Sequence, residues 1–324
     1  MKATQGTTYR MLGTRLNEIA LQLEKLRQVG VTGKKLLVPS DDPASVRPVF
    51  TTRKQISNVD RYLDTMGKSL DTMQATDGQL NSVENIMQRA KEIMTNAING
   101  SLNDADRTIF ADEMAQRRKE LLASANSMVD NKYLFAGYQQ DTTPFVENPN
   151  YDPALYDAND SSTWPYLYQG DQNATSLEIG PGELMQVNLT GNNIFLGTST
   201  WDPADPTNNS TASGRYDLFL TLTKAEEAIR NNDQAAMQTS MSDLEGAAEQ
   251  NRQLRAQLGT QAARVESSIG YQQGVRIDLQ QILSRYEDVN SVDVFNSIIQ
   301  QETAFQAALN VTGRVSQISI LDYL

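Results

Sequence analysis

The chain has 324 residues, a formal net charge of −12, and neither histidine nor cysteine. Without these two residue types it cannot build a Ser-His-Asp or Cys-His catalytic arrangement, a disulfide or a thiolate metal site. The acidic balance, with no Lys/Arg-rich block, argues against binding of nucleic acid and of anionic membrane. We therefore expect no catalytic residues, no cofactor and no metal.

The sequence shows no sign of a membrane-directing segment. Its first twelve residues contain no apolar core of a secretory signal, and no stretch approaches about 18 uninterrupted apolar residues. An export route that needs no cleaved signal would leave the same pattern.

A first helix with a coiled-coil stripe is predicted near the N-terminus. Its apolar residues recur at alternating spacings of three and four, which is the heptad pattern of helices that pack against a partner. Gly30 and Gly33 follow and are expected to end the helix. The stripe comprises Tyr9, Leu12, Leu16, Ile19, Leu23 and Leu26.

Two adjacent aspartates at positions 41 and 42 lie between two prolines and admit two interpretations. They could form a paired-carboxylate or metal site, or they could begin a helix. We favour the helix start, with Asp42 as the N-cap and Pro43 in the first helical position, because both residue types are preferred there.

A very long helix is predicted to follow, over Ala44–Asn99. Its apolar seam keeps the spacing of three and four, and no proline occurs from residue 49 to residue 100. Methionines at helical spacing are interpreted as packing residues rather than as a cofactor groove. They include Met66, Met73, Met87 and Met94. A third helix, after a turn at 99–104, is expected to carry Phe110, Met114, Arg117, Leu121 and Met128.

The composition changes at about residue 132. Residues 132–213 contain seven of the ten prolines, half of the 22 aromatic residues and both tryptophans. Short apolar runs between turn residues indicate β-strands, so we predict a small β-rich insert with its own core. The candidates for strands and turns are 133–138, 164–170, 176–191 and 192–197.

Helical patterning returns over Asp217–Arg230, then Gln234–Tyr286, and then in a last segment. Antiparallel pairing of the two long helices would bury both of their seams. The two terminal helices would then meet as a thin pair with little core, which should gain order in an assembly and points to a polymer subunit. Apolar residues of the last segment are Phe295, Ile298, Ile299, Phe305, Leu309, Val311, Val315 and Ile318, with Leu321 and Leu324 at the tip.

The predicted fold is therefore mainly α: a long antiparallel helical rod with a small β-rich insert domain. Terminal polymerisation helices are expected at both ends, the long-helix rod in two parts, and the insert between those parts. The boundaries are 1–40 and 290–324 for the terminal helices, 41–131 and 214–289 for the rod, and 132–213 for the insert.

Three stretches of the sequence resemble the flagellins and the flagellar hook-associated proteins. Residues 23–46, "LEKLRQVGVTGKKLLVPSDDPASV", are similar to the early segment of that family, in which a heptad helix, a Thr-Gly-Lys turn and an Asp-Asp cap lead into the long helix. Residues 131–145 and 303–324 are similar to the type that joins hook and filament. Pro43 also resembles the junction type, because flagellins usually carry alanine there.

The resemblance covers about residues 5–145 and 217–324, and it implies both a fold and a function. The implied fold is a flagellin-like coiled-coil core, with the terminal helices in an inner tube, the long helices around it and the insert projecting outward. The implied function is that of a non-enzymatic structural subunit at the hook–filament junction of the bacterial flagellum. The subunit would lie outside the cell after type III export without a cleaved signal.

The resemblance also implies partners and an assembly interface. The partners would be copies of the chain, the first hook-associated junction protein on the hook side, flagellin on the filament side, and an export chaperone. The interface would consist of the stripe from Tyr9 to Leu26 and of apolar residues of the last helix. Those of the last helix are Phe295, Ile298, Phe305, Leu309, Val315, Ile318, Leu321 and Leu324.

Three alternatives stay open on the sequence. The chain could be a flagellin that forms the filament itself, or a coiled-coil tip or adhesin protein of a virulence secretion system. It could also be a surface hydrolase that uses carboxylates of the insert, such as Asp152, Asp157 and Glu183.

Overall fold

The computed structural model describes residues 2–99 and 103–321, which form two compact units. One unit contains the residues up to Asp60 and those from Gly274 onward, and the other contains Arg61–Gln273. Within the described ranges, no helix is both long enough and apolar enough to cross a membrane. The helices are α1 (Lys2–Thr32), α2 (Pro43–Asn99), α3 (Asp104–Ala125), α4 (Gly191–Phe195), α5 (Leu218–Arg230), α6 (Gln234–Glu287) and α7 (Ser291–Leu321).

Ion pairs between α2 and α6 show that the two long helices run antiparallel. Arg255 Nε lies 2.7 Å from Asp77 Oδ1, and Lys91 Nζ lies 3.6 Å from Glu245 Oε1. Residue numbers therefore rise along α2 as they fall along α6. The predicted pairing of the long helices is confirmed.

The apolar seam of α2 is buried in the second unit. Its side chains join one hydrophobic cluster with residues of α3, α5 and α6. Burying a side chain of this size stabilises the fold by roughly 1.5–3 kcal/mol, so the seam is a main source of stability. The methionines of the seam, Met66, Met73, Met87 and Met94, are at most 1% exposed.

The start of α2 is fixed by hydrogen bonds to two carboxylates. Asp42 Oδ1 accepts from the backbone N–H groups of Ala44 (3.1 Å) and Ser45 (3.4 Å), as an N-cap does. Asp41 Oδ2 accepts from the backbone N–H of Val38 (3.0 Å), while its Oδ1 lies 2.6 Å from Lys25 Nζ. The hydrogen bond from Lys25 lowers the pKa of Asp41 to about 2. Both aspartates thus hold local backbone in place.

One proline lies inside α2. Pro48 is the sixth residue of the helix and has no N–H to donate to the carbonyl of Ala44. The helix continues through it because only one intrahelical bond is lost close to the helix start.

Three pairs of antiparallel strands lie in the insert and directly before it. Pro181 and Gly182 form the turn of the third pair, and Gly182 has a φ of +75° that favours glycine. With the long helices, these strand pairs confirm the mainly α fold with a small β-rich insert. The paired strands are β1 (Met128–Val129) with β2 (Lys132–Tyr133), β3 (Phe145–Glu147) with β4 (Tyr166–Tyr168), and β5 (Ser176–Gly180) with β6 (Glu183–Gln186).

Two local predictions were wrong. Met128 is not part of the third helix, because α3 ends at Ala125 and a tight turn at Asp130 and Asn131 pairs Met128 with Tyr133. Positive φ values at both turn residues match the strand twist of such a hairpin.

The second wrong prediction concerns residues 192–197, which form most of α4 and its end rather than a strand. The buried amide of Asn192 donates to Thr198 Oγ1 at 3.1 Å, and Gly197 ends the turn with a φ of +66°. These two local features outweigh the strand propensity of the apolar run.

The insert does not have its own core, contrary to the prediction. Phe219 of α5 lies outside the insert, yet its ring stacks on Tyr166 with centroids 4.3 Å apart and contacts Phe145 at 5.3 Å. Aromatic residues of the insert and apolar residues of the helices belong to one cluster. The insert and helices α2, α3, α5 and α6 therefore share a core.

The N-cap of α5 gives a stability prediction. Asp217 is buried, and its Oδ1 accepts from the N–H groups of Phe219 (2.9 Å) and Leu220 (3.0 Å). Replacement by alanine removes the cap and should cost about 1–2 kcal/mol in the free energy of unfolding. Asn is an equally good cap, so Asp217→Asn should retain this stability; chemical denaturation measures both changes.

The pH dependence of these variants separates capping from charge. Burial raises the pKa of Asp217 from 3.8 to about 7. The folded state therefore binds a proton that the unfolded state lacks, and the wild type should lose stability as the pH rises from about 4 to 7. Asp217→Asn should lack that loss. Identical pH profiles of stability for the wild type and Asp217→Asn would contradict a raised pKa of Asp217.

Candidate functional site

The terminal helices α1 and α7 pack against each other along one apolar face. Leu23 and Val29 of α1 are buried there, as is Val294 at the start of α7. The remaining apolar side chains of this face are only half-buried, because two helices alone cannot enclose them. They are Leu12, Leu16, Ile19, Leu26, Ile298 and Phe305.

A glycine allows the two helices to approach closely. Gly30 lies inside α1, so the prediction that it ends the helix was wrong; α1 ends at Thr32, and Gly33 follows with a φ of +68°. A Cβ atom at Gly30 would lie 3.2 Å from Ile298 Cδ1 and 3.5 Å from Val294 Cγ1. Gly30 is therefore a packing residue at the contact with α7.

Two exposed polar contacts also connect the terminal helices. Arg27 Nη2 lies 2.7 Å from Glu302 Oε1, and Gln301 Nε2 donates to Gln22 Oε1 at 2.9 Å. Exposed ion pairs contribute about 0–1 kcal/mol, so these contacts set the antiparallel register more than they stabilise it. The two polar contacts therefore add little to the stability of the terminal pair.

A second apolar face of α7 is open to solvent. Phe295 is 59% exposed, Ile299 62% and Leu309 46%, and Val292 is also exposed. Phe295 and Leu309 are two heptads apart, so they lie on the same side of the helix. We call these four residues the outer stripe. On α1, Met11 and Leu21 are the large apolar side chains that face solvent in the part preceding Gly30 whose side chains are described.

The predicted interface residues therefore divide into two groups. Ile298, Phe305 and the predicted stripe of α1 from Leu12 to Leu26 face the partner helix within the chain, whereas Phe295 and Leu309 face outward. Sequence reasoning left Val292 out of the interface, although it is three residues before Phe295. The side chains of Tyr9, Val315, Ile318 and Leu321, and the whole of Leu324, lie outside the described residues.

Two connections run side by side where the terminal pair joins the long helices. The backbone N–H of Lys35, in the connection after α1, donates to Glu287 O at 2.7 Å. The backbone N–H of Val289, in the connection after α6, donates to Gly33 O at 3.1 Å. The two turns are thus hydrogen-bonded to each other as a short bridge.

Glu287 supplies the charge at this junction. Its side chain is 2% exposed, with Lys34 Nζ 2.7 Å from Oε2 and Arg53 Nη2 2.7 Å from Oε1. Burial alone would raise the pKa of Glu287, but the contacts with Arg53 and Lys34 outweigh it and lower that pKa. Glu287 therefore joins the connection after α1 to the body of α2.

Replacing Glu287 by glutamine should loosen this junction. We expect a loss of about 1–3 kcal/mol, because charged hydrogen bonds are lost from a buried group. Amide exchange should become faster in α1 and α7, as measured by mass spectrometry. Glu266→Gln, at an exposed position of α6, is the matched control and should change nothing.

The pH dependence of this stabilisation follows from the lowered pKa of Glu287. The stabilisation by Glu287 is complete above its ordinary pKa of 4.5 and is lost as the pH falls through the lower value of the folded state. The difference between wild type and Glu287→Gln should therefore shrink below about pH 4.5. A difference that persists unchanged in acid would speak against the ion pairs.

The carboxylates considered for a hydrolase have separate local contacts. Asp152 Oδ1 accepts from the N–H of Ala154, Asp157 Oδ1 accepts from that of Asn159, each at 2.9 Å, and Glu183 pairs with Arg264. Nowhere in residues 2–99 and 103–321 do three or more acidic side chains form a group that could hold a metal ion.

Comparison with known proteins relates this architecture to one family. The family model for the bacterial flagellin N-terminal helical region matches residues 7–140. Flagellar hook-associated protein 3 of Escherichia coli is 27% identical over 300 residues, which are 89% of this chain and 89% of that protein. The protein of the same name from Salmonella typhimurium is 27% identical over 298 residues, which are 88% of this chain and 87% of that protein. The chain is thus similar to flagellar hook-associated protein 3 along nearly its whole length, and its N-terminal part is similar to the flagellins.

A solved structure shares the fold of this chain. A flagellar hook-associated protein from Vibrio parahaemolyticus aligns with a TM-score of 0.62 at 17% identity, covering 76% of this chain and all of that one. This level of identity supports the fold alone. The flagellin-like arrangement of long helices and a small insert is thus common to both proteins.

Proposed function

We propose that the protein is a structural subunit of the bacterial flagellum, at the junction between hook and filament, and that it assembles through its terminal helices. Similarity to hook-associated protein 3 along nearly the whole chain supports the place of the subunit. The outer stripe of α7 supports the mode of assembly, because it is an apolar surface without a cover among the described residues. The subunit acts without catalysis.

Burial of the outer stripe would drive assembly. Each large apolar side chain contributes roughly 1.5–3 kcal/mol when it moves from water into a packed contact. Several such contacts offset the entropy that is lost when the thin terminal pair becomes rigid. The segments proposed for polymerisation, 1–40 and 290–324, fall in the first compact unit, and the insert, 132–213, falls in the second.

The proposed partners are other axial proteins of the flagellum. They are copies of this chain, the first hook-associated junction protein on the hook side and flagellin on the filament side, with an export chaperone before assembly. The proposed location is the flagellum outside the cell, reached by type III export without a cleaved signal.

Deletion of the gene followed by electron microscopy tests this proposal. Mutant cells should keep their hooks, lose attached filaments and release flagellin into the medium, and the wild-type chain should restore filaments. Cells that keep normal filaments would contradict the proposal. Unaided growth of the purified chain into long filaments would instead support the role of a flagellin.

A further inference from the structure

A cavity in the second unit is lined by Arg215, which forms no ion pair with a carboxylate among the described residues. The cavity measures about 320 Å³ and lies between α6 and the turn that precedes α5. Arg215 is in that turn and is half-buried. The walls are formed by Gly214, Arg215, Tyr216, Gly246, Glu249, Gln250, Gln253, Leu254 and Gln257.

The guanidinium of Arg215 uses only one of its three nitrogens in the folded chain. Nη2 donates to Asn193 O at 2.8 Å and to Asn193 Oδ1 at 3.0 Å. Nε is buried, and neither it nor Nη1 donates to any described residue. Burial lowers the pKa of Arg215, and no acidic group raises it in compensation. A half-buried cation in this state gains stability from an anion.

The acidic residue of the wall, Glu249, already has a cationic partner. Glu249 Oε2 lies 2.7 Å from Arg252 Nη2, and the hydrogen bond from Arg252 lowers the pKa of Glu249. Glu249 therefore stays charged beside its own arginine. Its charge disfavours every anion in the cavity, and a phosphate with two charges more than a carboxylate with one.

The cavity wall is rigid because Tyr216 is fixed from two sides. Gln250 Oε1 accepts from Tyr216 N at 2.9 Å, and Gln250 Nε2 donates to Tyr216 O at 3.0 Å. The tyrosine ring lies on Gly246, where a Cβ atom would come within 2.3 Å of the ring. A wall held in this way presents Arg215 in a fixed position and lowers the entropy cost of binding.

We propose that this cavity binds a single carboxylate group, with Arg215 as its cation and the amide of Gln257 as a further donor, since Gln253 Nε2 already donates to Glu249 Oε1 at 3.4 Å. Charged hydrogen bonds from a guanidinium to a carboxylate are among the strongest that proteins form. The site does not depend on the proposed function. The carboxylate comes either from an acidic side chain of a second copy, since the chain carries 40 such residues, or from a free small molecule.

Titration with a matched pair of small probes tests the site. N-acetyl-glutamic acid α-amide carries one carboxylate, and N-acetyl-glutamine amide is its neutral counterpart. In the full chain, NMR signals of the Arg215 side chain should shift saturably with the first probe and not with the second. Arg215→Met should weaken binding at least tenfold, whereas Arg47→Met, at an exposed position, should leave it unchanged. Absence of binding to the wild type, or equal binding to Arg215→Met, would overturn the proposal.

A second variant keeps the test decisive if Arg215→Met misfolds. Gln257→Glu places a carboxylate at the cavity wall, so it should raise the melting temperature and lower probe affinity at least tenfold. Gln280→Glu makes the same change at an exposed position of α6 and should do neither. Unchanged probe affinity in Gln257→Glu would contradict the proposal.

Dilution of the protein without a probe identifies the source of the carboxylate. A concentration-dependent shift of the Arg215 signals, absent from a Gln257→Glu sample, supports a second copy as the donor. A shift that appears only with added carboxylate supports a free small molecule.

Discussion

Replacing both Phe295 and Ile299 by aspartate is expected to abolish incorporation of the subunit while leaving the second compact unit folded. The two side chains are 59% and 62% exposed, so the substitution buries no charge within the chain. In an assembly the same carboxylates would lie in an apolar contact, where an unpaired charge costs several kcal/mol. Electron microscopy of complemented deletion cells should show hooks without filaments.

The control uses polar positions on the same helix. Asn296→Asp with Gln300→Asp adds the same charge at exposed positions of α7. These cells should grow filaments normally. Normal assembly of the Phe295 and Ile299 variant would show that the outer stripe is not the contact. Leu16 and Leu23 are poorer targets, because both face α7 within the chain and their loss would also disrupt the terminal pair.

Replacing Phe219 by alanine is expected to destabilise the insert and the helices together, by about 3–5 kcal/mol. The ring is fully buried and contacts Phe145, Tyr166 and Phe195 with centroid distances of 4.3–5.9 Å. Because these aromatic residues share one core with the helices, the second unit should still unfold in a single transition. Chemical denaturation followed by fluorescence and by circular dichroism measures this.

The matched control for that variant is an exposed apolar residue of the insert. Leu155 is 69% exposed, so Leu155→Ala should change the free energy of unfolding by less than about 0.5 kcal/mol. If Phe219→Ala shifted only the fluorescence transition and left the helical signal in place, the insert would be an independent domain after all.

The helices were predictable because their signals are local and repeated. The spacing of three and four along α2 extends over many turns, and Asp42 with Pro43 marks its start, so both its type and its N-terminal boundary followed from the sequence. Gly30 misled the prediction, since glycine signals both helix ends and close helix contacts. Only the position of Ile298 in the structure distinguishes the two roles.

The arrangement of the insert was harder to predict because it depends on distant residues. Its aromatic side chains pack against Phe219, which follows them in the sequence and belongs to a helix. The run at 192–197 has the composition of a strand but forms α4, because Asn192 and Gly197 close a local turn. Neither effect produces a periodic pattern of apolar residues in the sequence.

Prediction from sequence meets the same limit at the two faces of α7 in the candidate site. Apolar residues fall on more than one side of this helix, and sequence alone does not say which side the partner helix covers. The structure assigns Ile298 and Phe305 to the inner contact and Phe295 and Leu309 to the outer stripe. The cavity at Arg215 has no sequence motif, because its residues come from a turn and from α6, at least thirty positions apart.

The buried methionines of α2 have a consequence for oxidative damage. Peroxide converts an accessible thioether into a polar sulfoxide, which would disrupt a close-packed seam. Met66, Met73, Met87 and Met94 are shielded until the helices separate, whereas Met11 and Met128 are directly accessible. A subunit exposed to oxidants would thus be modified first at its periphery, and sulfoxide at the four seam positions would record how often the long helices open.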